Sequence, residues 1–201
     1  MRWRNNCRRD ITLLIAMLIG FSTIPSAAQA QPAGPAADWV GKLAGLETAP
    51  DLDVAALRQQ AAERVKSRAD GVPTKRPPIA PQLLKLPQLI VEIRFDDDAA
   101  VIRPESYRTL GRIADTLTHP TLLKHKFLIV AHTASTGRRE NNLTLSQRRA
   151  DVIRDLLAST FKISSKRLQA IGLGEEQLLD TARPTAAVNQ RVQVTAVGNA
   201  L

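Results

Sequence analysis

The chain of 201 residues carries 28 lysine and arginine residues against 19 aspartate and glutamate residues, a net charge of +9, and only 3% of its residues are aromatic. So few aromatic residues argue against a stacking platform for single-stranded nucleic acid and against a large aromatic sugar-binding cleft. The basic charge suits anionic partners, but it is equally compatible with a role in solubility alone.

The first 30 residues have the order of a secretory signal peptide. Four arginines within the first nine residues precede an apolar run over residues 11 to about 24, and the small-residue site Ala28-Gln29-Ala30 follows. The run is short for a transmembrane helix, which needs roughly 20 apolar residues. We therefore expect export with cleavage after Ala30, and an uncleaved N-terminal membrane anchor is the alternative.

The single cysteine, Cys7, precedes the apolar run, whereas a lipoprotein would need a cysteine at the cleavage point. The chain after residue 30 has no cysteine and can form no disulfide, so its fold must be stabilised by its core alone. For an exported basic protein, lipid head groups and cell-wall carboxylates suit the charge better than nucleic acid, so no nucleic-acid partner is expected.

Two segments precede the compact part of the chain: an Ala-rich segment at residues 31–72 and a Pro-rich spacer at residues 73–87. In the first, apolar residues recur at three- and four-residue spacing, which predicts one amphipathic helix over residues 52 to about 70. Its apolar residues are Val54, Leu57, Ala61 and Val65. Such a helix packs on another part of the chain, pairs with a second copy as a homodimer, or frays. The prolines of the spacer predict an extended, semi-rigid stretch.

From residue 88 to about 198 the pattern is that of one compact domain of about 110 residues. Val91, Ile93 and Phe95 alternate with polar residues, which predicts a half-buried first strand. The proline and glutamate at 104–105 suit the first turn of a helix. The predicted apolar face of this helix consists of Tyr107, Leu110, Ile113, Ala114 and Leu117.

Residues 127–130 form a continuous apolar run, which predicts a central strand buried on both faces. A polar loop over residues 132–142 separates it from a second helix over residues 143 to about 160, for which Asn141 or Asn142 is the predicted N-cap. The inward side chains of this helix are predicted to be Leu145, Val152, Ile153, Leu156 and Leu157.

Two further strands complete the domain. Residues 168–171 form the first, which Gly172 and Gly174 stop, and residues 191–197 form the last, with alternate apolar side chains on one face. The order β-α-β-α-β-β predicts an α+β or α/β sandwich, with both helices on one face of the sheet.

Two features of this pattern can carry binding chemistry. The loop that begins at His132 follows the buried strand directly, and ligand-binding groups often lie on loops at strand ends. Arg149 lies on the same helix face as the apolar residues, four after Leu145 and three before Val152. A cation there needs a partner or a cleft, and an arginine that extends to solvent is the alternative.

Catalysis and metal binding are not expected. His132 and Ser135 are only three residues apart on one loop, and the sequence has no G-x-S-x-G motif. The histidines have neither H-x-x-x-H spacing nor a cysteine partner, so no metal site is predicted. The glycines at 172 and 174 lack the lysine and the following helix of a phosphate-binding loop, so no cofactor is predicted.

With these motifs the chain resembles the OmpA-like domain family. The residues Ala131-His132-Thr133-Ala134, Asn142 and Leu145-Ser146-Gln147-Arg148-Arg149-Ala150 are similar to the family signature G-H-T-D…N-x-x-L-S-x-x-R-A. Shorter stretches at 93–96, 171–175 and 189–192 resemble its opening strand, its G-x-G-E turn and its closing N-R-R-V. The resemblance covers about residues 87–197, in order and at the expected spacing, and it implies the same fold.

The resemblance implies non-covalent binding of peptidoglycan in the periplasm, at the cell wall and outer membrane, through the diaminopimelate of the stem peptide. In the family the arginine of L-S-x-x-R-A takes a carboxylate of the ligand, and the aspartate of G-H-T-D takes its ammonium. Carried over to this chain, the arginine is Arg149, the motif asparagine is Asn142, and Arg191 is a further candidate contact. His132 and Thr133 belong to the same motif.

The family aspartate does not carry over, because Ala134 stands at its position. A methyl group cannot accept a hydrogen bond from an ammonium, and a hydrogen bond to a charged group contributes about 1.5–3 kcal/mol, or roughly 10- to 150-fold in affinity. Three outcomes are open. Asp98 or Glu140 substitutes for the acid, or binding persists weakly through Arg149, or the domain is a structural module that contacts other envelope proteins and pairs through residues 52–70.

Overall fold

The structure is a computed structural model of the chain. It describes residues 35–46, 52–67 and 76–199. The predicted signal peptide at residues 1–30 lies outside the described residues. So do the remaining parts of the Ala-rich segment and the first part of the Pro-rich spacer.

The described residues contain four strands and four α-helices, and a short 3-10 helix, Pro81–Lys85, precedes the first strand. In chain order the elements are α1 (Pro35–Ala44), α2 (Val54–Ser67), β1 (Gln88–Val91), α3 (Tyr107–Leu117), β2 (His125–His132), α4 (Arg139–Ser159), β3 (Leu168–Gly174) and β4 (Val192–Asn199). From β1 onward this is the β-α-β-α-β-β order that the sequence predicts.

The four strands form one mixed sheet in the order β1-β4-β2-β3. Strand β2 pairs in parallel with β3 and antiparallel with β4, which in turn pairs antiparallel with β1. Phe127 lies opposite Leu168 of β3 and Ala196 of β4. Strand β2 is therefore central, and the predicted buried run at residues 127–130 is fully enclosed.

Side chains alternate across β2, so each face of the sheet buries its own partners. On one face, Phe127 and Ile129 pack in a core with the apolar sides of α1, α3 and α4. The helix residues of this core include Leu43, Leu110, Ile113, Leu117, Ala150, Ile153 and Leu157. Full burial of each leucine or isoleucine side chain contributes roughly 1.5–3 kcal/mol. Helices α3 and α4 share one face of the sheet, as the sequence predicts.

The other face of the sheet is covered by helix α2. The predicted apolar stripe of α2, at positions 54, 57, 61 and 65, is buried. It packs in one cluster with Leu128, Val130, Ile171 and Leu173. The stripe proposed for a homodimer through residues 52–70 is therefore occupied by the same chain, because the sheet offers it a larger apolar surface than a lone helix would.

The Pro-rich spacer also packs against this face, and its residues Pro81–Lys85 form a 3-10 helix, so the prediction of an extended, semi-rigid stretch is wrong for its second half. Ile79, Ala80 and Leu83 are buried in the same cluster as α2. The backbone N–H of Ala80 donates to Oε1 of Gln177, at 3.1 Å. The prolines predict an extended stretch, but the apolar residues between them reach an uncovered sheet face, and the packed region begins before residue 88.

Three local predictions are corrected. Strand β1 ends at Val91, so Ile93 and Phe95 lie beyond it, and Phe95 forms an isolated bridge with Ile102. Tyr107 is 48% exposed rather than part of the apolar face of α3. Helix α4 begins at Arg139, four residues earlier than expected, and its N-cap lacks a side-chain hydrogen bond.

Helix α4 crosses the edge strand β3 at backbone contact distance. The N–H of Gly172 donates to Oε1 of Gln147 at 2.9 Å, and the N–H of Gly174 donates to Oγ of Ser146 at 2.8 Å. These contacts fix the first half of α4, including Arg149, relative to the sheet. Among the described residues, no helix combines the length and the apolar character needed to cross a membrane.

Candidate ligand-binding pocket around Arg149

Arg149 lies on the buried side of α4 and is only 8% exposed. Its Nε donates to the carbonyl oxygen of Ala99 at 2.9 Å, and its Nη2 donates to that of Asp96 at 3.3 Å. The guanidinium also lies over the ring of Phe95, 4.7 Å from the ring centre. The side chain therefore holds the loop that follows β1, and it is not an arginine extended into solvent.

The charge of Arg149 has no direct counterion. Within the described part of the chain no carboxylate forms a salt bridge with it. Burial lowers the pKa of Arg149, while the more distant charges of Asp98 and Asp97 raise it. A guanidinium remains protonated in proteins, so the protein holds a buried cation that is only partly compensated.

One nitrogen of this guanidinium is available to a ligand. Of the five N–H donors of an arginine, the carbonyl contacts use one on Nε and one on Nη2. Nη1 donates no hydrogen bond to any described residue, yet it is not among the buried atoms without a partner. Nη1 is therefore accessible, and it can donate two hydrogen bonds.

A pocket of about 370 Å³ lies beside this guanidinium. Its walls are formed by the loop after β1, the loop after β2, the first half of α4 and the residue before Arg191. The lining residues are Phe95, Asp97, Asp98, Thr133, Thr136, Asn142, Leu145, Arg149 and Gln190. Thr133 is buried, and its Oγ1 has no hydrogen-bond partner among the described residues.

Two carboxylates line the same pocket as the cation. Asp97 and Asp98 are exposed and line the pocket, and neither forms a salt bridge with any described residue. Asp98 has φ of 50°, the left-handed conformation that aspartate tolerates better than most residues. The pocket thus offers a positive and a negative wall, which suits a ligand that carries both an anion and a cation.

Asn142 lines the same pocket, and hydrogen bonds to the protein fix its side-chain amide. Its Nδ2 donates to Oε2 of the buried Glu175 at 2.7 Å and, more weakly, to the carbonyl of Ala134 at 3.4 Å. Oε1 of Glu175 accepts hydrogen bonds from Arg76 Nη1 at 2.9 Å and from Ser135 Oγ at 3.0 Å. This buried network fixes the loop after β2 against the start of α4.

The sequence does not identify Arg76 as a partner of the buried glutamates, and it does not identify Glu176, which follows Glu175, as one of them. Arg139 donates to both oxygens of Glu176, from Nε at 2.6 Å and from Nη2 at 2.5 Å. Arg76 Nη1 lies 3.7 Å from the same carboxylate. The two adjacent glutamates after the glycine-rich turn could have indicated a buried ion-pair network, since buried acids require cations. However, nothing in the sequence indicates that one of these cations comes from the spacer.

His132, Ala134 and Arg191 do not reach the pocket, although the sequence places them at the site. His132 is 3% exposed, and its Nε2 donates to Oε1 of Gln193 at 2.6 Å. Burial and the nearby charge of Arg191 lower the pKa of His132 to about 3. Ala134 is fully buried. Arg191 donates from Nη2 to the carbonyl of Gln177 at 2.9 Å, and burial lowers its pKa to about 10.

The structure therefore brings together Arg149, Asn142, Thr133 and Asp98 of the seven predicted site residues. The hydroxyl of Ser135 donates to Glu175, not to a histidine. No group of three or more His, Cys, Asp or Glu side chains within the described ranges could hold a metal ion. The arrangement can bind a zwitterion, and it has no nucleophile activated by a base.

Comparison with known proteins places this domain in a family. Residues 94–192 match the model of the OmpA family. Outer membrane porin F of Pseudomonas aeruginosa is 28% identical over 116 residues, which are 56% of this chain and 32% of that protein. The peptidoglycan-associated lipoprotein of Mesorhizobium japonicum is 36% identical over 85 residues, which are 42% of this chain and 49% of that protein.

Among solved structures, the peptidoglycan-associated lipoprotein from Burkholderia pseudomallei is 28% identical, with a TM-score of 0.42, over 53% of this chain and 88% of that one. The match to the two curated relatives spans about a third and about half of their length. The part of the chain that contains the Arg149 pocket, residues 94–192, is a domain of the OmpA family.

Proposed function

We propose that this protein binds peptidoglycan without covalent chemistry, in the periplasm, and holds an envelope component to the cell wall. One observation carries the proposal: the accessible Nη1 of the buried Arg149 and the carboxylates of Asp97 and Asp98, which form no salt bridge with any described residue, belong to one pocket. The names of its relatives, outer membrane porins and peptidoglycan-associated lipoproteins, support the same compartment and partner. Binding, and not catalysis, is the activity.

The ligand group that fits this pocket best is the free end of diaminopimelate in the stem peptide. That end carries an ammonium and a carboxylate on one carbon, so it needs one cationic and one anionic partner. Arg149 Nη1 binds the carboxylate in a charge-assisted hydrogen bond, and such bonds are about twice as strong as neutral ones.

Asp98 takes the ammonium in place of the absent family aspartate. Ala134 is fully buried and does not line the pocket, so its methyl group neither binds nor blocks the ligand. Glu140, the other acid considered from the sequence, does not line the pocket either. Asp98 lines it, and its charge raises the pKa of Arg149 more than that of Asp97 does, which supports Asp98 as the partner of the ammonium.

The first prediction concerns binding to purified sacculi at low salt. Arg149→Gln removes the donor for the carboxylate, and Asp98→Asn removes the acceptor for the ammonium. We expect each substitution to lower the affinity for sacculi, measured by co-sedimentation, by roughly 10- to 150-fold, which is the effect of one lost hydrogen bond to a charged group. Added salt should weaken binding of the wild type as well.

Matched variants control this experiment. Asp115→Asn and Arg108→Gln remove the same charges from the exposed side of α3, and neither residue lines the pocket. Thermal unfolding of every variant separates loss of binding from loss of fold. If the wild type stays in the supernatant at low salt, or if the two control variants lose as much binding as the pocket variants, the proposed function is wrong.

The alternative of a structural module paired through residues 52–70 has no support in the geometry. Its contact surface, the apolar stripe of α2, is buried against the sheet of the same chain. Other envelope proteins as partners remain compatible with peptidoglycan binding, since a protein that holds a component to the wall must contact both.

A further inference from the structure

A second pocket, of about 420 Å³, adjoins the Arg149 pocket on the outer side of α4. The two share four lining residues, namely Asp98, Thr136, Asn142 and Leu145. Because these residues form a common wall, the two pockets are adjacent. A ligand that is long enough to pass this wall can contact Arg149 and the second pocket at the same time.

Two arginines, Arg138 and Arg148, line the second pocket and do not line the first. Both are exposed, and within the described residues neither side chain forms a hydrogen bond or a salt bridge. Asp98, on the wall shared with the first pocket, is the one acid among the lining residues. The second pocket therefore carries an excess of positive charge, and no acid in the described ranges pairs with either arginine.

Exposed arginines are often only solvated, and the exposed Arg108 forms no salt bridge with any described residue. The exposed Arg94 and Arg183 pair with Glu92 and Asp180, and the half-buried Arg103 and Arg154 also pair with aspartates. Arg138 and Arg148 have no acid partner among the described residues, and they line one pocket together. Unpaired guanidiniums on a pocket wall favour a carboxylate ligand, which they can bind in a bidentate manner.

Helix geometry separates this charge from that of Arg149. Consecutive residues of an α-helix point about 100° apart, so Arg148 and Arg149 cannot serve the same ligand atom. Arg149 lines the first pocket next to Phe95, and Arg148 lines the second pocket together with Arg138. Two separate anionic groups of one ligand, at different distances along it, match this arrangement.

We infer that Arg138 and Arg148 form a second anion subsite, which binds a carboxylate of the peptide outside the zwitterionic group held by Arg149. This inference rests on the proposed function of the first pocket and names a further determinant of its ligand. The recognised class is an acidic peptide with a carboxylate on the residue next to the zwitterion. A stem peptide with a free glutamate carboxylate meets that description.

The test compares two probes that differ in one group: a peptidoglycan stem tripeptide with a free glutamate carboxylate, and the same tripeptide with that carboxylate amidated. Calorimetric titration of the whole chain measures both affinities. Amidation is expected to weaken binding to the wild type by about tenfold, the effect of one charge-assisted contact. In the variant R138A/R148A the free tripeptide should bind as weakly as the amidated one, so that amidation has no further effect.

The variant R108A/K166A removes two exposed positive charges at residues that line neither pocket, and it should bind both probes as the wild type does. Equal affinity of the wild type for the two probes overturns the second subsite, as does a tenfold effect of amidation that persists in R138A/R148A. Neither result affects the first pocket, which still binds the amidated peptide. If the wild type binds neither probe, the proposed function itself fails, and the second subsite with it.

Discussion

His132 ends the central strand with its ring enclosed, and its environment suits the neutral imidazole. Nε2–H donates to Gln193, whose own amide donates to Gln88 at 2.9 Å, while Nδ1 has no partner. A proton on Nδ1 would place a second charge beside Arg191 in a buried site. Both burial and that charge lower the pKa of His132, to about 3.

Stability is therefore predicted to fall as the pH falls below 6.5. The unfolded chain binds a proton at His132 near pH 6.5, whereas the folded chain does so only near pH 3, so the unfolded state gains protons first. The free energy of unfolding should decrease by up to about 1.4 kcal/mol per pH unit in this window. Urea unfolding at pH 7, 6 and 5 measures the slope, before the carboxylates titrate.

The variant His132→Asn should be less stable at pH 7 but should lose most of this slope. His119→Asn is the matched control, since His119 is exposed, and it should keep the slope of the wild type. Equal stability of the wild type at pH 7 and pH 5 would contradict the burial of a neutral imidazole.

The same residues mark where the sequence can predict a site and where it cannot. A motif places His132, Thr133 and Ala134 together, but only the fold decides that Thr133 alone of the three lines the pocket. Arg149 is recognisable because it lies on the apolar side of a helix. Its carbonyl partners on the loop after β1 are about 50 residues away in sequence, and no local pattern connects them.

Gly172 of strand β3 has a different structural role from the one that the sequence suggests. Gly172 is predicted to stop the strand, yet β3 continues through it to Gly174. A Cβ at Gly172 would lie 2.0 Å from the backbone nitrogen of Gln147 and 2.4 Å from its Cα. The missing side chain thus allows α4 to approach the sheet, and a propensity for turns cannot distinguish that requirement from a strand end.

Gly172→Ala is accordingly predicted to displace α4. The atoms in the way are backbone, so the helix itself must move, and overpacking of this kind costs typically 1–3 kcal/mol and sometimes more. Because Arg149 lies on the same helix, binding to sacculi should fall together with the melting temperature. Arg149 then moves away from the loop that it holds.

Gly111→Ala provides the comparison, because a Cβ there meets nothing within 4 Å. An alanine in the middle of a helix such as α3 should stabilise the protein by roughly 0.5–1 kcal/mol, with no change in binding. If Gly172→Ala melts at the wild-type temperature, the close approach of α4 and β3 is wrong.

For the whole molecule, the main feature that the sequence leaves open is what covers the second face of the sheet. The stripe of α2 is evident from its spacing, but periodicity does not say against what a helix packs. The structure places α2 and residues 79–83 there, and polar contacts accompany the apolar ones. Arg58 donates to the carbonyl of Ala170 at the edge of the sheet, and Arg76 neutralises the buried Glu175. The segment before the domain is therefore part of its core.

This arrangement predicts the opposite of a dimer that depends on residues 52–70. A chain that begins at residue 86 would expose the face formed by Leu128, Val130, Ile171 and Leu173, and it would leave Glu175 without its arginine. Large exposed apolar patches promote association, so the shortened chain should melt at a lower temperature and form larger species in light scattering, whereas the full chain stays monomeric.

In the full chain, Leu57→Asp should weaken the packing of α2 on the sheet and have a similar effect, while Gln60→Asp, on the exposed side of α2, should not. A shortened chain that remains monomeric and as stable as the full one would show that the second face of the sheet does not need its cover.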